Sequence, residues 1–299
     1  MKTHNYIFVG GLQRSGTTLL GRLLAGSPDV AGLERTPTDE DEGQFVQDVY
    51  PDDHLMGMQV NGGRQKGRTV HWAYHPMAHL TEEDAREILD PRARLERSWA
   101  PYLSNAAAAT VVEKSPSNVM KTRFLQEVFP EAKFVIMTRH PISQALAVRK
   151  WCRFSQRVGL QLDQMVDHWM RAMSAFELDR AHLKAVRVVR YEDLVRYPAR
   201  TMQGLCEFLG IEEVPENTTV SQERNSVYTD YWSWMTTGEP RFQPLVPARS
   251  LQGRVAREAE HVLARLDGPR VLKRCRDNHE FQANLYGYSF SSPRKDDEG

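Results

Sequence analysis

The sequence predicts an α/β fold in which helices flank a central parallel β-sheet. Short apolar runs of strand length alternate along the chain with segments whose apolar residues recur at helical spacing. Strands that alternate with helices in this way pair in parallel through right-handed crossovers. The 299 residues suffice to bury a sizeable core. We expect a single domain over residues 1–290, substrate-side insertions near 34–80 and 215–250, and a disordered polar tail at 291–299.

The N-terminal segment contains the first predicted strand and helix. Residues 6–9 form an apolar strand, and a helical pattern of leucines follows a glycine-rich turn. This helix should end near Gly26, because glycine suits the left-handed C-cap conformation and Pro28 prevents continuation. Residues 52–80 have no clean period, so we expect an irregular excursion over the functional face there.

Helices and strands alternate through the rest of the chain. Thr81 begins a short helix with an acidic first turn, and Pro91 begins another that continues to about residue 109. Residues 110–113 form a short buried strand, and Ser117 caps the helix after it. Two further strands are predicted at 133–137 and 186–190. Further helices are predicted from Pro141 onward and at 162–183, 198–209 and 251–266.

The turn after the first strand is a predicted anion-binding loop, Gly10-Gly11-Leu12-Gln13-Arg14-Ser15-Gly16-Thr17-Thr18. In a strand–loop–helix arrangement, backbone N–H groups of the loop and of the helix N-terminus point at an anion. The spacing is P-loop-like, but Thr17 occupies the place where a P-loop has lysine. The cation of the loop is Arg14 instead. We therefore expect the loop to bind a phosphate or sulfate ester rather than ATP.

Functional-looking side chains follow four of the predicted strands. They are Arg14 in the first loop, Lys114, Arg139 and Tyr191. Ligands of parallel α/β sheets bind outside the carboxyl ends of the strands. Each of these residues alone is compatible with an ordinary surface position. Together they predict one ligand site along one edge of the sheet.

The segment Arg14-Ser15-Gly16-Thr17-Thr18-Leu19-Leu20 resembles the 5′-phosphosulfate loop of sulfotransferases that use 3′-phosphoadenosine 5′-phosphosulfate (PAPS). The arginine, in place of the lysine of the cytosolic enzymes, is similar to the tyrosylprotein and bacterial branches of that family. The resemblance covers about residues 6–288. It implies the sulfotransferase fold, PAPS as donor, 3′-phosphoadenosine 5′-phosphate (PAP) as product, no metal, and donor-binding roles for Arg14, Ser15, Gly16, Thr17 and Thr18.

The resemblance also implies roles for the other strand ends. Arg139, in Thr-Arg-His-Pro, resembles the arginine that binds the 3′-phosphate. Tyr191 resembles the tyrosine near the adenine and 3′-phosphate, and Lys114 the lysine near the bridging oxygen of the leaving phosphate. The alternatives without a function are a surface ion pair for Arg139, a packed aromatic for Tyr191 and a solvated lysine for Lys114.

One position departs from the family pattern. The family places a serine eight residues after the 3′-phosphate arginine, where this chain has Ala147. Ser143, one helical turn earlier on the same face, is expected to take its place, with Lys150 as the alternative.

The predicted reaction needs few chemical groups. Transfer of a sulfuryl group builds charge on the leaving phosphate and the equatorial oxygens, and Arg14, Lys114 and the loop amides would stabilise it. A carboxylate base takes the proton of the acceptor. Glu42 is favoured for this role, narrowly over Glu40 and Glu34.

Acidic residues crowd the predicted acceptor side: Asp39, Glu40, Asp41, Glu42, Asp48, Asp52 and Asp53. Such a field favours a neutral or cationic small molecule that offers a hydroxyl, amine or guanidine, or a polyol. The alternatives are a protein-tyrosine or carbohydrate sulfotransferase and, from other classes, a P-loop kinase for a small metabolite or a non-catalytic nucleotide-binding protein.

Composition excludes several partners. The 39 basic and 39 acidic residues cancel, so no global field favours nucleic acid. Three widely spaced cysteines form no disulfide or zinc pattern and indicate a reducing compartment. Pro76 interrupts the spacing of His71, His75 and His79, so we do not expect a metal site there. The sequence shows no signal peptide and no long apolar span, so we expect a cytoplasmic protein without membrane contact; oligomeric state is left open.

Overall fold

A computed structural model of the chain describes residues 4–38, 40–59, 69–149, 161–213, 215, 223–237 and 251–291. The strands, in chain order, are β1 (Asn5–Gly11), β2 (Val30–Ala31), β3 (Met58–Gln59), β4 (Thr69–Val70), β5 (Thr110–Lys114), β6 (Lys133–Thr138) and β7 (Val186–Arg190). The α-helices are α1 (Thr17–Leu24), α2 (Asp53–Met56), α3 (Glu82–Arg86), α4 (Pro91–Trp99), α5 (Thr122–Val128), α6 (Pro141–Arg149), α7 (Leu162–Arg180), α8 (Tyr191–Arg196), α9 (Pro198–Leu209), α10 (Glu223–Thr237) and α11 (Leu251–Leu285).

Five strands form a parallel sheet in the order β2-β5-β1-β6-β7, which confirms the predicted α/β architecture. The central strand β1 pairs with β5 on one side and with β6 on the other. Across these pairs Val9 lies opposite Lys114, and Gly11 lies opposite Met137. The carboxyl ends of these strands therefore lie along the same edge, where α/β folds bind ligands.

The alternation of side chains along β1 divides the core between the two faces of the sheet. Tyr6 and Phe8 pack with one apolar cluster, which also takes residues from α3, α4 and α5. Ile7 and Val9 pack with the other cluster, which takes residues from α1, α8 and α9. Successive strand residues point to opposite faces, so a strand covered on both faces is apolar at every position. Each fully buried side chain of this size contributes about 1.5–3 kcal/mol.

The chain divides into two compact units. The first comprises Met1–Arg139 and Arg171–Val220, and the second comprises His140–Met170 and Ser221–Gly299. The second unit is helical in its described residues: α6 and α11 both contact α10. Inside it, the Trp169 ring meets the Tyr286 ring edge-on. The single domain expected over residues 1–290 stays a prediction.

Two helices are shorter than the sequence predicts. The helix that begins at Pro91 ends at Trp99 and is followed by a 3-10 turn, so the prediction that it continues to about residue 109 is wrong. Pro101 lies in that turn, and proline cannot donate the bond that would extend an α-helix. The helix predicted to end at residue 183 ends at Arg180, where i to i−3 turn bonds replace helical ones.

Two other predictions, one of a helix start and one of a helix end, are wrong. Ser117 caps no helix, because Pro116–Met120 is a 3-10 turn and Lys121 precedes α5. The helix predicted to end at residue 266 continues through Pro269 to Leu285. Within the second unit a β-carbon on Gly268 would lie 2.9 Å from the Met235 carbonyl oxygen, so α11 packs closely on α10 there. This packing outweighs the low helix propensity of Gly268 and Pro269.

The excursion expected at 52–80 contains regular pieces where the structure describes it. These are α2, the antiparallel pair β3–β4, and 3-10 turns at Trp72–Tyr74 and Pro76–Ala78. Lys150, Asp39, most of 215–250 and the tail beyond residue 291 lie outside the described residues. No helix among the residues described here has both the length and the apolar character that a membrane crossing needs.

Two glycines give a matched prediction for stability. Gly11 has φ 148°, and a β-carbon there would collide with the carbonyl oxygen of Met137 on β6. Gly204 lies within α9, where the nearest atom to an added β-carbon is Arg187 Nη1 at 3.8 Å. We expect Gly11→Ala to lower the free energy of unfolding by at least about 2 kcal/mol. We expect Gly204→Ala to raise it by about 0.4–1 kcal/mol.

Urea denaturation of the two variants and the parent protein measures both effects. Equal losses in the two variants would contradict the prediction, because the collision is present only at residue 11.

Candidate active site

The loop between β1 and α1 is folded back on itself. Ser15 donates to the carbonyl oxygen of Leu12 from its amide at 3.1 Å and from its hydroxyl at 2.6 Å. Arg14 has φ 71°, which is uncommon for a residue with a β-carbon, and its side chain is exposed. Gly16 precedes α1 with φ 100°. The first amides of α1 have no partner within the helix, so the loop and helix end offer N–H donors to an anion.

Arg139 and Tyr191 lie against this loop. The Tyr191 ring packs on Gly16 so closely that a β-carbon there would come within 2.6 Å of the ring. The Arg139 guanidinium carbon lies 4.3 Å from the centroid of the same ring, in cation–π geometry. Arg139 Nη1 also donates to the carbonyl oxygen of Arg14 at 3.0 Å. The ends of β6 and β7 and the loop after β1 therefore form one cluster.

Lys114 connects the end of β5 to the acidic stretch. Its Nζ donates to the carbonyl oxygen of Glu40 at 2.6 Å and to Oε1 of Glu42 at 3.3 Å. The hydroxyl of Thr18, in the first turn of α1, donates to Oε2 of Glu40 at 3.0 Å. Gly21 of α1 lies over the Lys114 stem, where an added β-carbon would be 3.2 Å away. The acidic stretch thus returns to the helix that follows the loop.

Glu42 is a buried carboxylate with a partner on each oxygen. Its side chain is 9% exposed, Lys114 binds one oxygen, and Gln44 Nε2 donates to the other at 2.7 Å. Burial raises the pKa of Glu42 above its usual range, and the charge of Lys114 and the bond from Gln44 act in the opposite direction. A carboxylate with a raised pKa accepts a proton more readily, which suits a general base.

Asp53 and Lys121 are two further buried ionisable residues, and Gln44 connects both of them to Glu42. Gln44 Oε1 accepts from the Ser117 hydroxyl at 2.7 Å and from the Asp53 amide at 3.2 Å, and Lys121 Nζ donates to Ser117 Oγ at 2.8 Å. Burial, helped by the charge of Glu42, raises the pKa of Asp53 to about 8. Burial likewise lowers the pKa of Lys121 to about 8, against the attraction of Asp53. Both groups are thus less easily charged than in water.

Glu113, near the end of β5, binds the backbone next to Glu42. Its carboxylate accepts from the Gly43 amide at 2.9 Å, from the Ser115 hydroxyl at 2.6 Å and from Asn118 Nδ2 at 2.6 Å. Burial raises its pKa, and these donors oppose the rise. Glu113 therefore ties the segment after Glu42 to the end of β5.

The family model described as "Sulfotransferase family" matches residues 6–216 of this chain. The chain belongs to the sulfotransferase family. The matched residues include the anion-binding loop, the end of each strand in the parallel sheet, and the Glu42–Lys114 pair.

Individual relatives of this sulfotransferase-family chain are distant. Protein-tyrosine sulfotransferase 1 of Danio rerio is 29% identical over 210 residues, which cover 69% of this chain and 53% of the relative. Nodulation protein NoeE of Sinorhizobium fredii (strain NBRC 101917 / NGR234) is 25% identical over 236 residues, which cover 69% and 50%. The chain spans about half the length of these curated relatives. Among solved structures, the sulfotransferase domain from the curacin biosynthetic pathway matches with a TM-score of 0.47 at 19% identity, covering 87% of this chain and 99% of that domain.

Most of the predicted site residues of this sulfotransferase-family chain lie together in the first unit. They are Arg14, Ser15, Gly16, Thr17, Thr18, Glu40, Glu42, Lys114, Arg139 and Tyr191. Glu34 is exposed, and its amide donates to the Tyr102 carbonyl oxygen. Ser143 belongs to the second unit, where it is buried on α6, as is Ala147. The roles of all these residues stay predictions.

The residues whose roles sequence reasoning missed contact the predicted ones from the interior. Gln44, Trp72 and Lys121 carry no motif, Gln13 lies in the predicted loop without an assigned role, and in the sequence Asp53 stands out only as one of many acidic side chains. Asp52 caps α2 through bonds from the amides of residues 54 and 55, so a helix-start signal was present at Asp53. Nothing in the sequence pairs that helix with Gln13, which is 40 residues away.

The three histidines of the excursion are not arranged around a common centre. His79 contacts both carboxylate oxygens of buried Asp179, at 2.9 and 3.0 Å. His71 has φ 61°, and burial lowers its pKa. Within the ranges that the structure describes, no group of three or more His, Cys, Asp or Glu side chains is placed to hold a metal ion.

Proposed function

We propose that the chain transfers a sulfuryl group from PAPS to a hydroxyl or to an amine or guanidine nitrogen of a small-molecule acceptor, with PAP as the second product. The contact between Arg139 and the carbonyl oxygen of Arg14 carries the proposal. It holds a guanidinium suited to the 3′-phosphate against the loop suited to the 5′-phosphosulfate. One donor with an anion at each end fits this pair of anchors.

The residues of the loop fit such a donor. Gly16 has φ 100° and lets the Tyr191 ring pack directly against the loop, where a β-carbon would collide with that ring. The eight-residue helix α1 begins directly after Gly16, so its positive end supports binding of the 5′ anion. The stacked Arg139 and Tyr191 side chains support binding of the nucleotide end.

The chain's own groups can assist each part of the transfer. The bond between sulfur and the leaving phosphate oxygen breaks while a bond from sulfur to the acceptor atom forms. Lys114 and Arg14 stabilise the charge that builds on the leaving oxygen, and Glu42 takes the proton that the acceptor loses. Lys114 also holds Glu42 in place through their ion pair at 3.3 Å. Fixed cations thus take the role that Mg²⁺ has in phosphoryl transfer.

The acidic surroundings support a neutral or cationic acceptor. Glu40 and Glu42 lie beside the loop and Lys114, so a positively charged or polyol acceptor meets less repulsion than an acidic one. The protein-tyrosine sulfotransferases among the relatives favour a second candidate, a tyrosine hydroxyl of a protein.

An assay with PAPS and a panel of acceptors tests the proposal. Amines, guanidines, polyols, carbohydrates and acidic tyrosine peptides would each be incubated with the protein, with and without a chelator, and PAP and the sulfated product measured. We expect product with an amine, guanidine or polyol, unaffected by the chelator. Sulfation of acidic tyrosine peptides alone would replace the proposed acceptor class, and phosphorylation from ATP that requires Mg²⁺ would overturn the reaction.

Glu42→Gln tests the proposed base. The amide cannot accept the proton, so we expect kcat to fall by about 10²–10⁴. Its carbonyl oxygen can still accept from Lys114 Nζ, so we expect a smaller loss of stability than removal of the lysine would cause. Because burial raises the pKa of Glu42, the activity of the parent protein should fall on acidification at a higher pH than for an ordinary glutamate. That acid limb should be missing from the residual activity of the variant.

Glu40→Gln and Glu34→Gln are the controls for this variant. Full activity of Glu42→Gln together with a large loss in either control would transfer the role of base to the residue affected.

A further inference from the structure

The side chain of Gln13, which precedes Arg14 in the loop, is bound at both ends. Trp72 Nε1 donates to Gln13 Oε1 at 2.8 Å, and Gln13 Nε2 donates to Asp53 Oδ2 at 2.8 Å. An indole N–H only donates, so Trp72 fixes which end of the amide is the acceptor. The NH₂ group then faces Asp53, whose carboxyl oxygen must accept. The two contacts determine each other.

Both partners of Gln13 are fixed in the protein interior. Trp72 is 0% exposed and Asp53 is 1% exposed. The backbone amide of Asp53 donates to Gln44, and Gln44 in turn donates to Glu42. An unbroken series of contacts thus leads from the anion-binding loop through Asp53 to the proposed base.

The backbone next to Gln13 needs such support. Arg14 has φ 71°, a conformation that is unfavourable for a residue with a β-carbon and persists only where its surroundings impose it. On the C-terminal side, the Arg14 carbonyl oxygen accepts from Arg139 and Ser15 is bonded to Leu12. On the N-terminal side, the side-chain amide of Gln13 contacts buried Trp72 and Asp53.

We propose that Gln13 is a positioning residue: held between Trp72 and Asp53, it imposes the loop conformation that presents Arg14 and joins the donor loop to α2 and to the 3-10 turn that begins at Trp72. The inference rests on the proposed function for its effect on PAP, but its effect on the loop does not.

A reversal of the hydrogen bond tests the proposal. All variants are compared at pH 9, above the pKa of about 8 that burial gives Asp53, so that Gln13→Glu places two carboxylates at a 2.8 Å contact and should free the loop. Adding Asp53→Asn supplies an NH₂ group at residue 53 that can donate to the new carboxylate at residue 13, and it should restore the contact. Asp53→Asn alone keeps an acceptor for Gln13. The matched control is Gln203→Glu, which creates a like-charge pair with Glu207 on an exposed helix surface.

Two measurements separate this proposal from the proposed function. Amide hydrogen exchange of residues 12–16 without ligand should be about tenfold faster in Gln13→Glu than in the parent, and within about threefold of the parent in the double variant and the control. The Kd for PAP should follow the same order at unchanged stoichiometry. If the parent binds no PAP, the proposed function fails while exchange still decides on the loop.

The proposal is overturned if exchange in Gln13→Glu equals that of the parent, or if the double variant exchanges as fast as the single one. Should Gln13→Glu not fold, Trp72→Phe removes the indole donor and keeps an aromatic ring. Faster exchange of residues 12–16 in that variant supports the proposal, and parent-like exchange overturns it.

Discussion

Arg139→Ala is expected to weaken PAP binding by about a hundredfold or more. Arg139 is 3% exposed, donates to the Arg14 carbonyl oxygen and stacks on Tyr191. Under the proposed function it also binds the 3′-phosphate. Hydrogen bonds to a charged group contribute about 1.5–3 kcal/mol each, and about 2.7 kcal/mol corresponds to a factor of a hundred. Titration calorimetry with PAP measures the change.

Two further variants make the Arg139 experiment specific. Arg139→Lys keeps the charge but loses the planar fork and much of the stacking, so an intermediate loss of about tenfold is expected. Arg196→Ala removes an exposed arginine that stacks on Tyr197 at 5.3 Å, and it should leave the Kd for PAP unchanged. Parent-like PAP binding by Arg139→Ala would remove the 3′-phosphate role from this residue.

Lys114→Met is expected to lower both stability and activity, for different reasons. The substitution leaves the Glu42 carboxylate buried without its cation, and breaking a buried ion pair on one side costs about 3–5 kcal/mol. Under the proposed function it also removes a cation from the leaving oxygen, so we expect kcat to fall by about 10²–10³. Urea denaturation and steady-state kinetics measure the two effects separately.

The double variant Lys114→Met with Glu42→Gln separates these effects. Replacing both charges should restore most of the lost stability but none of the activity. Lys133→Met is the control. Lys133 is the first residue of β6, at the edge of the sheet opposite to the one where Lys114 ends β5, and it donates to the carbonyl oxygens of residues 208 and 209. This variant should lose stability without a change in kcat. A double variant with parent-like kcat would contradict the catalytic role of Lys114.

The parallel sheet, and the clustering of most predicted site residues at one edge of it, could be predicted from the sequence because both depend on local signals. Apolar runs mark β1, β5 and β6, and in a parallel sheet with helical crossovers the residue after each strand falls on one edge. That rule places Arg14, Arg139 and Tyr191 on the same edge. The hydrogen bond from Arg139 to the Arg14 carbonyl oxygen and the cation–π contact with Tyr191 are known only from the structure.

The buried contacts behind the edge could not be predicted, because they join residues far apart in sequence. Lys114 contacts the backbone of Glu40 from 74 residues away, and Trp72 contacts Gln13 from 59 residues away. No periodicity or motif encodes such pairs. The predicted helix ends were wrong where a single proline ended a helix early, as at Pro101, and where close packing extended one, as at Gly268.

Titration calorimetry of the parent protein with PAP, ADP and ATP tests most directly whether this sheet edge binds the two anionic ends of one donor. With a chelator present, we expect PAP to bind at one site at least about tenfold more tightly than ADP, because ADP lacks the 3′-phosphate that Arg139 would bind. ATP should gain no advantage from Mg²⁺. Tighter binding of ATP with Mg²⁺ than of PAP, or equal binding of PAP and ADP, would contradict the account.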